Sequence, residues 1–185
     1  MMIERLCQEH RNIETLLAVL ERELEIIVRA DRPDYDVIRA IISYFEVYPD
    51  LYHHPLEDLV FAKLKLRDPA AAAKVGNLTL EHQKGAERLC RVAQAVDGIL
   101  ADREILRQNV DNIVRDFIES ERRHIMVEDR DFFPAALKAL EPQDWTEIAS
   151  TLTSRKDPLF SEAAEKRFHA LRAHILQSEQ EAETV

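Results

Sequence analysis

Four stretches of the chain place apolar residues at alternating spacings of three and four, and this spacing limits how the chain can fold. An α-helix turns once in about 3.6 residues, so such residues form one inward-facing stripe along a helix. A half-buried strand would instead require strict alternation of apolar and polar residues. The first stripe runs through Ile3, Leu6, His10, Ile13, Leu17, Leu20, Leu24 and Ile27.

The composition favours long helices over a sheet. Only three Gly and seven Pro occur among 185 residues, whereas strands need frequent tight turns. The hydrophobic share of 46% and the charged share of 32% are ordinary for a core under a solvated surface, and they exclude disordered and collagen-like chains. We therefore expect an all-α protein that forms a single domain over residues 1–185.

Four helices are expected to form an up-down-up-down four-helix bundle, because the connections between the stripes are short. The bundle should cover about residues 3–140, and Pro49 and Pro55 should kink its second helix. Asp68 is expected to open the third helix. The residues from about 143 to 180 predict additional C-terminal helices, which would pack on the bundle or form the contact of a homodimer.

The formal net charge of −10 bears on the partners that the chain can bind. This charge repels phosphate backbones and anionic lipid surfaces, so we expect no nucleic acid and no membrane as partner. No apolar run approaches the roughly 20 residues of a spanning helix, and Glu4 stands where a signal peptide would be apolar. The expected location is cytoplasmic. Cys7 and Cys90 are too few for a disulfide framework and are expected to be small buried hydrophobic residues.

The stripes also carry an ionisable pattern that occurs twice. The first and third stripes each contain one histidine, His10 and His82, and the second and fourth each contain a His-x-x-x-Glu pair. Side chains four residues apart share one face of a helix, so each of these histidines points inward together with its glutamate. The two pairs are His53 with Glu57 and His124 with Glu128.

The two halves of the chain match at these positions. The offsets between them are 71 or 72 residues, which indicates a tandem duplication. A helix rises about 1.5 Å per residue, and the four histidines lie at similar distances from the ends of their predicted helices. All four are therefore expected in one layer of the core.

Four imidazoles and two carboxylates inside an apolar core need compensation, because buried ionisable groups must be paired or bind a metal. Two divalent ions satisfy this set if each takes two histidines and the two glutamates bridge them. Nitrogen and oxygen ligands without thiolate suit iron, manganese or zinc. The predicted metal ligands are His10, His53, Glu57, His82, His124 and Glu128.

At these residues the chain resembles the hemerythrin-like HHE cation-binding family, whose pattern is His, then His-x-x-x-Glu, repeated twice. The resemblance covers roughly residues 3–140 and is most specific in the stretch YHHPLED and in the Glu-His dipeptides that contain His10 and His82. It implies two iron ions in a carboxylate-bridged non-haem di-iron site, with zinc or manganese as alternatives. Ferritin-like bundles use Glu-x-x-His instead.

Two departures separate the chain from the oxygen-carrying hemerythrins. Those proteins have a second histidine on the third helix, four residues after the first, where this chain has Ala86. They also have an Asp five residues after the last histidine, whereas this chain has Glu128 at four and Asp129 at five. The six-ligand set is more similar to that of the iron–sulfur cluster repair proteins of the same superfamily, which are linked to nitric oxide and oxidative stress.

Fewer nitrogen ligands leave open positions on each metal, and open positions bind small molecules. We expect a small diatomic or peroxide ligand, and a function in binding or sensing O2, NO or oxidants or in handling iron, in stress response or iron–sulfur repair. One alternative is a di-iron enzyme with peroxidase or NO-reducing activity, which would need a general acid that the sequence does not indicate. Another is a helical interaction module with a structural metal site.

Several neighbouring residues are expected to have indirect roles. His54 would point about 100° away from His53 on an α-helix, so we expect it beside the site or at the surface rather than among the ligands. Tyr48 and Tyr52 are expected to be core or rim tyrosines with hydrogen-bonded hydroxyls, with an extra iron ligand as the alternative. His169 and His174 are expected to be solvated. The carboxylates of Glu14, Asp58 and Asp129 are expected either to be solvated or to orient ligand imidazoles.

Overall fold

The computed structural model describes residues 2–101, 103, 106–151, 159–160, 168–169 and 171–175. These residues form helices and no strand, which confirms the all-α prediction. Two π-helical turns, Pro49–His53 and Glu128–Phe132, interrupt the second and fourth long helices. The helices are α1 (Met2–Val28), α2 (Tyr35–Tyr48), α3 (His54–Arg67), α4 (Pro69–Val75), α5 (Leu78–Leu100), α6 (Arg107–Val127), α7 (Phe133–Ala139) and α8 (Pro142–Thr151).

The long helices form the predicted bundle. Helix α1 packs against α2 and α6, and α5 packs against the same two helices, so the four make a closed ring. Helices α3 and α7 continue α2 and α6 beyond the π-helical turns and pack against each other. The second helix begins at an N-cap, where the Asp34 side chain accepts hydrogen bonds from the backbone N–H groups of Asp36 and Val37.

The π-helical turns lie where the sequence predicts a kink. Pro49 opens the first turn, and the backbone N–H of His54 donates to the carbonyl oxygen of Pro49, five residues earlier. In the second turn the N–H of Phe133 donates to the carbonyl oxygen of Glu128. Such single π turns occur within α-helices and frequently at functional sites. Here they include His53 and Glu128, so they control the direction of two predicted ligands.

The third helix begins later than predicted. Asp68 caps the separate short helix α4, because its side chain accepts a hydrogen bond from the N–H of Ala71. The chain then breaks at Gly76, whose φ of 94° is readily adopted only by glycine. Helix α5 starts at Leu78, with the side chain of Asn77 accepting from the N–H of Leu80.

The buried apolar residues form two clusters at different heights along the bundle. The larger cluster contains Ile13 and Phe45, and the smaller cluster contains Leu6 and Leu56. His10 stands between Leu6 and Ile13 on α1, so it lies at the boundary between the clusters. This boundary is the polar layer of the core.

The described parts of the C-terminal region pack on the bundle. Leu159, Phe168, Leu171 and Ile175 are buried in the larger cluster, and Phe168 lies edge-to-face with Tyr44 at 6.0 Å. The full extent of the predicted C-terminal helix, to about residue 180, lies outside the described residues. The homodimer contact stays a prediction. Among the described helices, none combines the length and the apolar character needed to cross a bilayer.

Helix α8 is fastened to α3 by one carboxylate. Asp144 is buried and accepts hydrogen bonds from Nε and Nη2 of Arg67, at 2.9 and 3.2 Å. The Arg67 hydrogen bond is the largest cause that holds the pKa of Asp144 below its usual value.

The prediction of buried cysteines is wrong for Cys90, which is exposed, while Cys7 is half-buried. On α5, the neighbouring stripe residue Leu89 takes the inward position.

Candidate metal centre

The six predicted ligands lie together in the polar layer. Helices α1, α3, α5 and α6 and the two π-helical turns each contribute at least one of them. The exposed fraction of the side chain is 0% for both glutamates, 2% for two of the histidines, 7% for the third and 12% for the fourth. The residues are His10, His53, Glu57, His82, His124 and Glu128.

The two histidines of the first half face each other. The Nε2 atoms of His10 and His53 are 3.1 Å apart, and their ring centroids are 5.0 Å apart. Two nitrogens that bind one metal ion at about 2.1 Å and at right angles would be separated by about 3.0 Å. The His10–His53 pair therefore has the spacing of two ligands of one ion.

Glu57 presents its two carboxylate oxygens to different histidines. Oε1 lies 3.3 Å from His10 Nε2 and 3.2 Å from His53 Nε2. Oε2 lies 3.5 Å from His82 Nε2, which belongs to the second half of the chain. One carboxylate thus contacts both halves of the cluster.

Glu128 has the complementary arrangement. Oε1 lies 3.3 Å from His124 Nε2 and 3.6 Å from His82 Nε2, whereas Oε2 lies 3.4 Å from His10 Nε2. The rings of His82 and His124 are 4.9 Å apart, centroid to centroid. Each glutamate therefore directs one oxygen to the His10–His53 pair and the other to the His82–His124 pair, as a bridging carboxylate does.

The cluster contains buried polar atoms that no described residue satisfies by hydrogen bonding. They are both carboxylate oxygens of Glu57 and of Glu128, both ring nitrogens of His82, and Nε2 of His124. A buried polar atom without a hydrogen bond costs roughly 1–3 kcal/mol, and more when it is charged. A cation in the layer would satisfy these atoms, so the residues fit a metal centre.

Carboxylates outside the cluster orient the imidazoles. Nδ1 of His10 lies 2.8 Å from Asp129 Oδ1, and Nδ1 of His82 lies 3.5 Å from Asp58 Oδ1. The hydroxyl of Thr79 donates to the same Asp58 oxygen at 2.8 Å. Such outer partners fix the tautomer and the direction of metal-binding histidines. Asp129 therefore occupies the orienting position that the sequence suggests, whereas Asp58 lies near His82 without a hydrogen bond to it.

Glu9 is an orienting residue to which sequence reasoning assigned no role. Its Oε2 lies 2.9 Å from Nδ1 of His53, and its Oε1 accepts hydrogen bonds from the Tyr48 hydroxyl at 2.8 Å and from Arg5 Nε at 2.8 Å. Tyr48 is buried and hydrogen-bonded, as predicted. The Glu-His dipeptide that contains Glu9 could have indicated this role. Its second copy has no such role, however, because Glu81 is exposed and pairs with Lys84.

His54 lies against the second half of the cluster. Its ring stacks on His82 at 4.1 Å with an interplanar angle of 11°, and its centroid is 6.2 Å from that of His124. Ligand atoms of His54, Glu57, His82 and His124 all lie within 4.8 Å of one another. The predicted position of His54 assumed an α-helix, whereas the chain has a π-helical turn here.

A small cavity adjoins the His82–His124 pair. Its volume, counted for the centre of a water-sized molecule, is about 20 Å³, and a site needs roughly 10–15 Å³ on this measure to hold one water. A shallow surface depression of about 290 Å³ lies on the outer side of His54 and His82. The cavity is lined by Ile13, Phe45, Pro49, His54, Glu81, His82, Gly85, Ala86, Leu89, Phe117, Glu121 and His124.

A family comparison agrees with this geometry. A sequence model of the hemerythrin HHE cation binding domain matches residues 1–136, which include all six predicted ligands. The chain belongs to the hemerythrin HHE cation-binding family. This confirms the resemblance seen in the sequence. No curated protein and no solved structure matches the chain significantly.

The six predicted ligands, His10, His53, Glu57, His82, His124 and Glu128, are called the HHE cluster below. Without metal, this cluster holds protons on several of its histidines. Burial alone lowers the pKa of His10, but contacts with Asp129, Glu128 and Glu57 outweigh it and raise that pKa to about 12. By the same balance, the pKa of His53 is raised to about 9 and that of His82 to about 10.

The other ionisable groups of the layer shift in both directions. Burial lowers the pKa of His124. Burial raises the pKa of Glu57, but the positive charge of His53 and the close contacts with His10 and His82 outweigh it and hold that pKa well below its usual value. The pKa of Glu121 is raised to about 7, by burial first and then by the charge of Glu128.

The remaining predicted residues lie outside the HHE cluster. Glu14 is exposed and pairs with Arg122 at 2.9 Å. His169 is exposed, and His174 Nε2 lies 3.8 Å from Glu23 Oε1. Tyr52 is half-buried and its ring lies 5.7 Å from that of Tyr48.

Proposed function

We propose that the chain is a non-haem di-iron protein that binds a small ligand, O2, NO or peroxide, at the HHE cluster. One iron would be held by the His10–His53 pair and the other by the His82–His124 pair, with Glu57 and Glu128 between them. The unsatisfied buried atoms and the split orientation of both carboxylates support this assignment. Bound iron supplies open coordination positions and a reversible change of oxidation state.

The observation that carries the proposed ligand class is the cavity beside His82 and His124. A volume of about 20 Å³ suits one water-sized or diatomic molecule. Its wall includes the apolar side chains of Ile13, Phe45 and Phe117. An apolar wall favours small uncharged ligands, since a charged ligand would lose its hydration there.

The same features support a role in sensing oxidants or NO, or in handling iron under stress. The surface depression outside His54 and His82 brings solvent close to the cluster, and Asp58 and Thr79 also line it. A metal centre one side chain away from solvent can exchange small ligands, and it can take up or lose metal. We assign the protein to the sensing or iron-handling proteins rather than to the reversible oxygen carriers.

The first experiment measures metal identity and content. The protein is purified under low oxygen without added metal or chelator, and iron, zinc and manganese are determined by elemental analysis. Two irons per chain, followed by a change of the optical spectrum on addition of NO or O2, support the proposal. A stoichiometric zinc content with no response to NO contradicts it and favours a structural metal site.

Glu121 favours a second candidate function, the reduction of peroxide or NO. Its carboxyl group lines the same cavity as His82 and His124, and a Cβ placed on Gly85 would lie 2.9 Å from Glu121 Oε1. Reduction of hydrogen peroxide to two waters consumes two electrons, from an external reductant, and two protons, which a carboxyl group in the cavity can relay.

The test of this second function uses turnover. Steady peroxide consumption with a reductant by the iron-loaded protein, and its loss in Glu121→Gln at unchanged iron content, support the enzyme. Absence of turnover in the unmodified protein leaves ligand binding or sensing as the function.

A further inference from the structure

His54 stands at a position that the duplication does not repeat. The offset of 71 residues that relates His53 to His124 places Ile125 opposite His54 in the second half. Ile125 is an apolar residue packed against the larger cluster. His54 therefore adds one imidazole to one side of an otherwise two-fold cluster.

The π-helical turn Pro49–His53 explains how two consecutive histidines reach the same layer. A π turn contains one more residue than an α-helical turn, so the direction of each later side chain changes relative to a regular helix. His53 contacts His10 on one side, with Nε2 atoms 3.1 Å apart. His54 stacks on His82 on the other side, with ring centroids 4.1 Å apart.

We propose that His54 is a third nitrogen ligand of the metal at the His82–His124 pair. The grouping of its ligand atom with those of Glu57, His82 and His124 within 4.8 Å carries this proposal, and coordination would require the His54 ring to turn out of its parallel stack on His82. The other group of ligand atoms contains His10, His53 and Glu57, and it includes no further histidine. The inference rests on the metal function proposed above and extends it to a residue beyond the six.

Space for His54 arises from the third helix. The position four residues after His82 holds Ala86, and Ala86 lines the cavity together with His54. A small side chain at this position leaves room beside His82 for an imidazole from another helix. Helix α5 thus provides one nitrogen, α6 provides a second, and His54, the first residue of α3, provides the third.

The consequence is a pair of unequal metals. With His54 the His82–His124 side has three nitrogens and the His10–His53 side has two, while both glutamates present one oxygen to each side. The metal with fewer protein ligands should exchange faster. The two metals should therefore differ in spectrum and in resistance to chelators, although the six-residue pattern is symmetric.

The decisive variant is His54→Phe, because phenylalanine can keep the ring stacked on His82 while it removes the nitrogen. His169→Ala, at an exposed histidine outside the cluster, serves as the matched control. Each protein is loaded with iron-57, and iron content, the Mössbauer spectrum and the rate of iron removal by a chelator are measured. The melting temperature of each metal-free protein reports on folding.

The unmodified protein and His169→Ala should show two distinct iron environments. In His54→Phe one environment should change, and the affinity for one iron should fall at least ~10-fold, as for other losses of a ligand partner. Equal iron content, spectrum and chelator resistance in His54→Phe and the control would overturn the proposal. This holds even if the binding of O2, NO or peroxide differs between the two proteins. If the unmodified protein binds no metal, the proposed function and this inference both fail. If it binds two irons and His54→Phe behaves like the control, only this inference fails, so the two outcomes are distinguishable.

Discussion

Glu57 and Glu128 would be the residues on which both halves of the proposed metal centre depend. Each is fully buried and directs one oxygen toward each histidine pair. Glu57→Ala or Glu128→Ala removes a contact of both metals at once, and it leaves protonated histidines without their carboxylate. We expect the metal content to fall from two per chain to one or none, measured by elemental analysis after identical loading.

Glu14→Ala is the matched control for these two variants. Glu14 also lies four residues after a histidine of the layer, but it is exposed and pairs with Arg122. Its loss should leave the metal content unchanged, because exposed ion pairs contribute little. Retention of two metals by both Glu57→Ala and Glu128→Ala would be incompatible with bridging glutamates.

Glu9 and Glu81 offer a comparison between two copies of one dipeptide. Glu9 holds Nδ1 of His53, whereas Glu81 is exposed beside Lys84. Glu9→Gln should weaken metal binding by roughly 10–100-fold, the usual effect of losing an outer partner of a ligand. Glu81→Gln should have little effect. Competition with a coloured chelator measures both affinities, and equal affinities in the two variants would refute the orienting role of Glu9.

The sequence predicted residues whose direction depends only on regular helix geometry. The i, i+4 spacing brought His53 with Glu57 and His124 with Glu128 into one layer, as expected. The environment of His54 could not be predicted, because it depends on the π-helical turn and on packing against α5. The difference between Glu9 and Glu81 also depends on tertiary contacts, since the two dipeptides are identical.

At the scale of the helices, the sequence predicted where some helices are interrupted but not the form of the interruption. Proline positions predicted a kink near the histidines, and a π-helical turn lies there. The second π-helical turn contains no proline itself, but Pro134 follows it at the position that Pro55 holds after the first turn, and this signal was not used. The break at Gly76 was missed because Asp68 and Pro69 form a complete helix start on their own, which α4 uses.

The close approach of α5 and α6 at Gly85 allows the cavity to be narrowed without changing a ligand. A Cβ there would lie 2.9 Å from Glu121 Oε1, the mobile end of a side chain, which can shift. Gly85→Ala should leave metal content unchanged and raise stability by up to about 1 kcal/mol, because glycine is unfavourable within a helix. Binding of NO to the iron-loaded protein should become slower or weaker.

Stopped-flow absorbance measures the NO binding rate, and thermal unfolding measures the stability. Ala72→Gly, in the separate helix α4, reports the general effect of a glycine–alanine exchange away from the cavity. An unchanged NO rate in Gly85→Ala would show that the ligand reaches the metal by another route.

For the whole molecule, the polar layer between the two apolar clusters links folding to charge. Without metal, the layer is held by protonated histidines that pair with buried carboxylates. Metal ions would displace those protons, because a ligand nitrogen must be deprotonated. The fold therefore has two ways to neutralise its centre, and pH determines the balance between them.

The metal-free protein should lose stability as pH rises from about 6.5 to 10. The pKa of His53 is raised to about 9 and that of His82 to about 10 in the fold, against 6.5 for an ordinary histidine. Between these values the folded chain binds more protons than the unfolded chain, so the stabilisation that comes from His53 and His82 is complete below pH 6.5 and is lost as pH passes 9 to 10. The metal-loaded protein should show the opposite trend in its added stability, since fewer protons then compete with the metal.

Thermal unfolding at about pH 6.5, 7.5, 8.5 and 9.5 measures both trends, with chelator-treated and iron-loaded samples. The series starts at the ordinary pKa of histidine, roughly 6.5. The difference in melting temperature between loaded and metal-free protein should widen with pH. His53→Gln removes one of the titrating groups, so its metal-free form should show a flatter decline. A metal-free protein whose melting temperature is constant across this range, or falls equally in His53→Gln, would mean that imidazolium–carboxylate pairs do not hold the centre together.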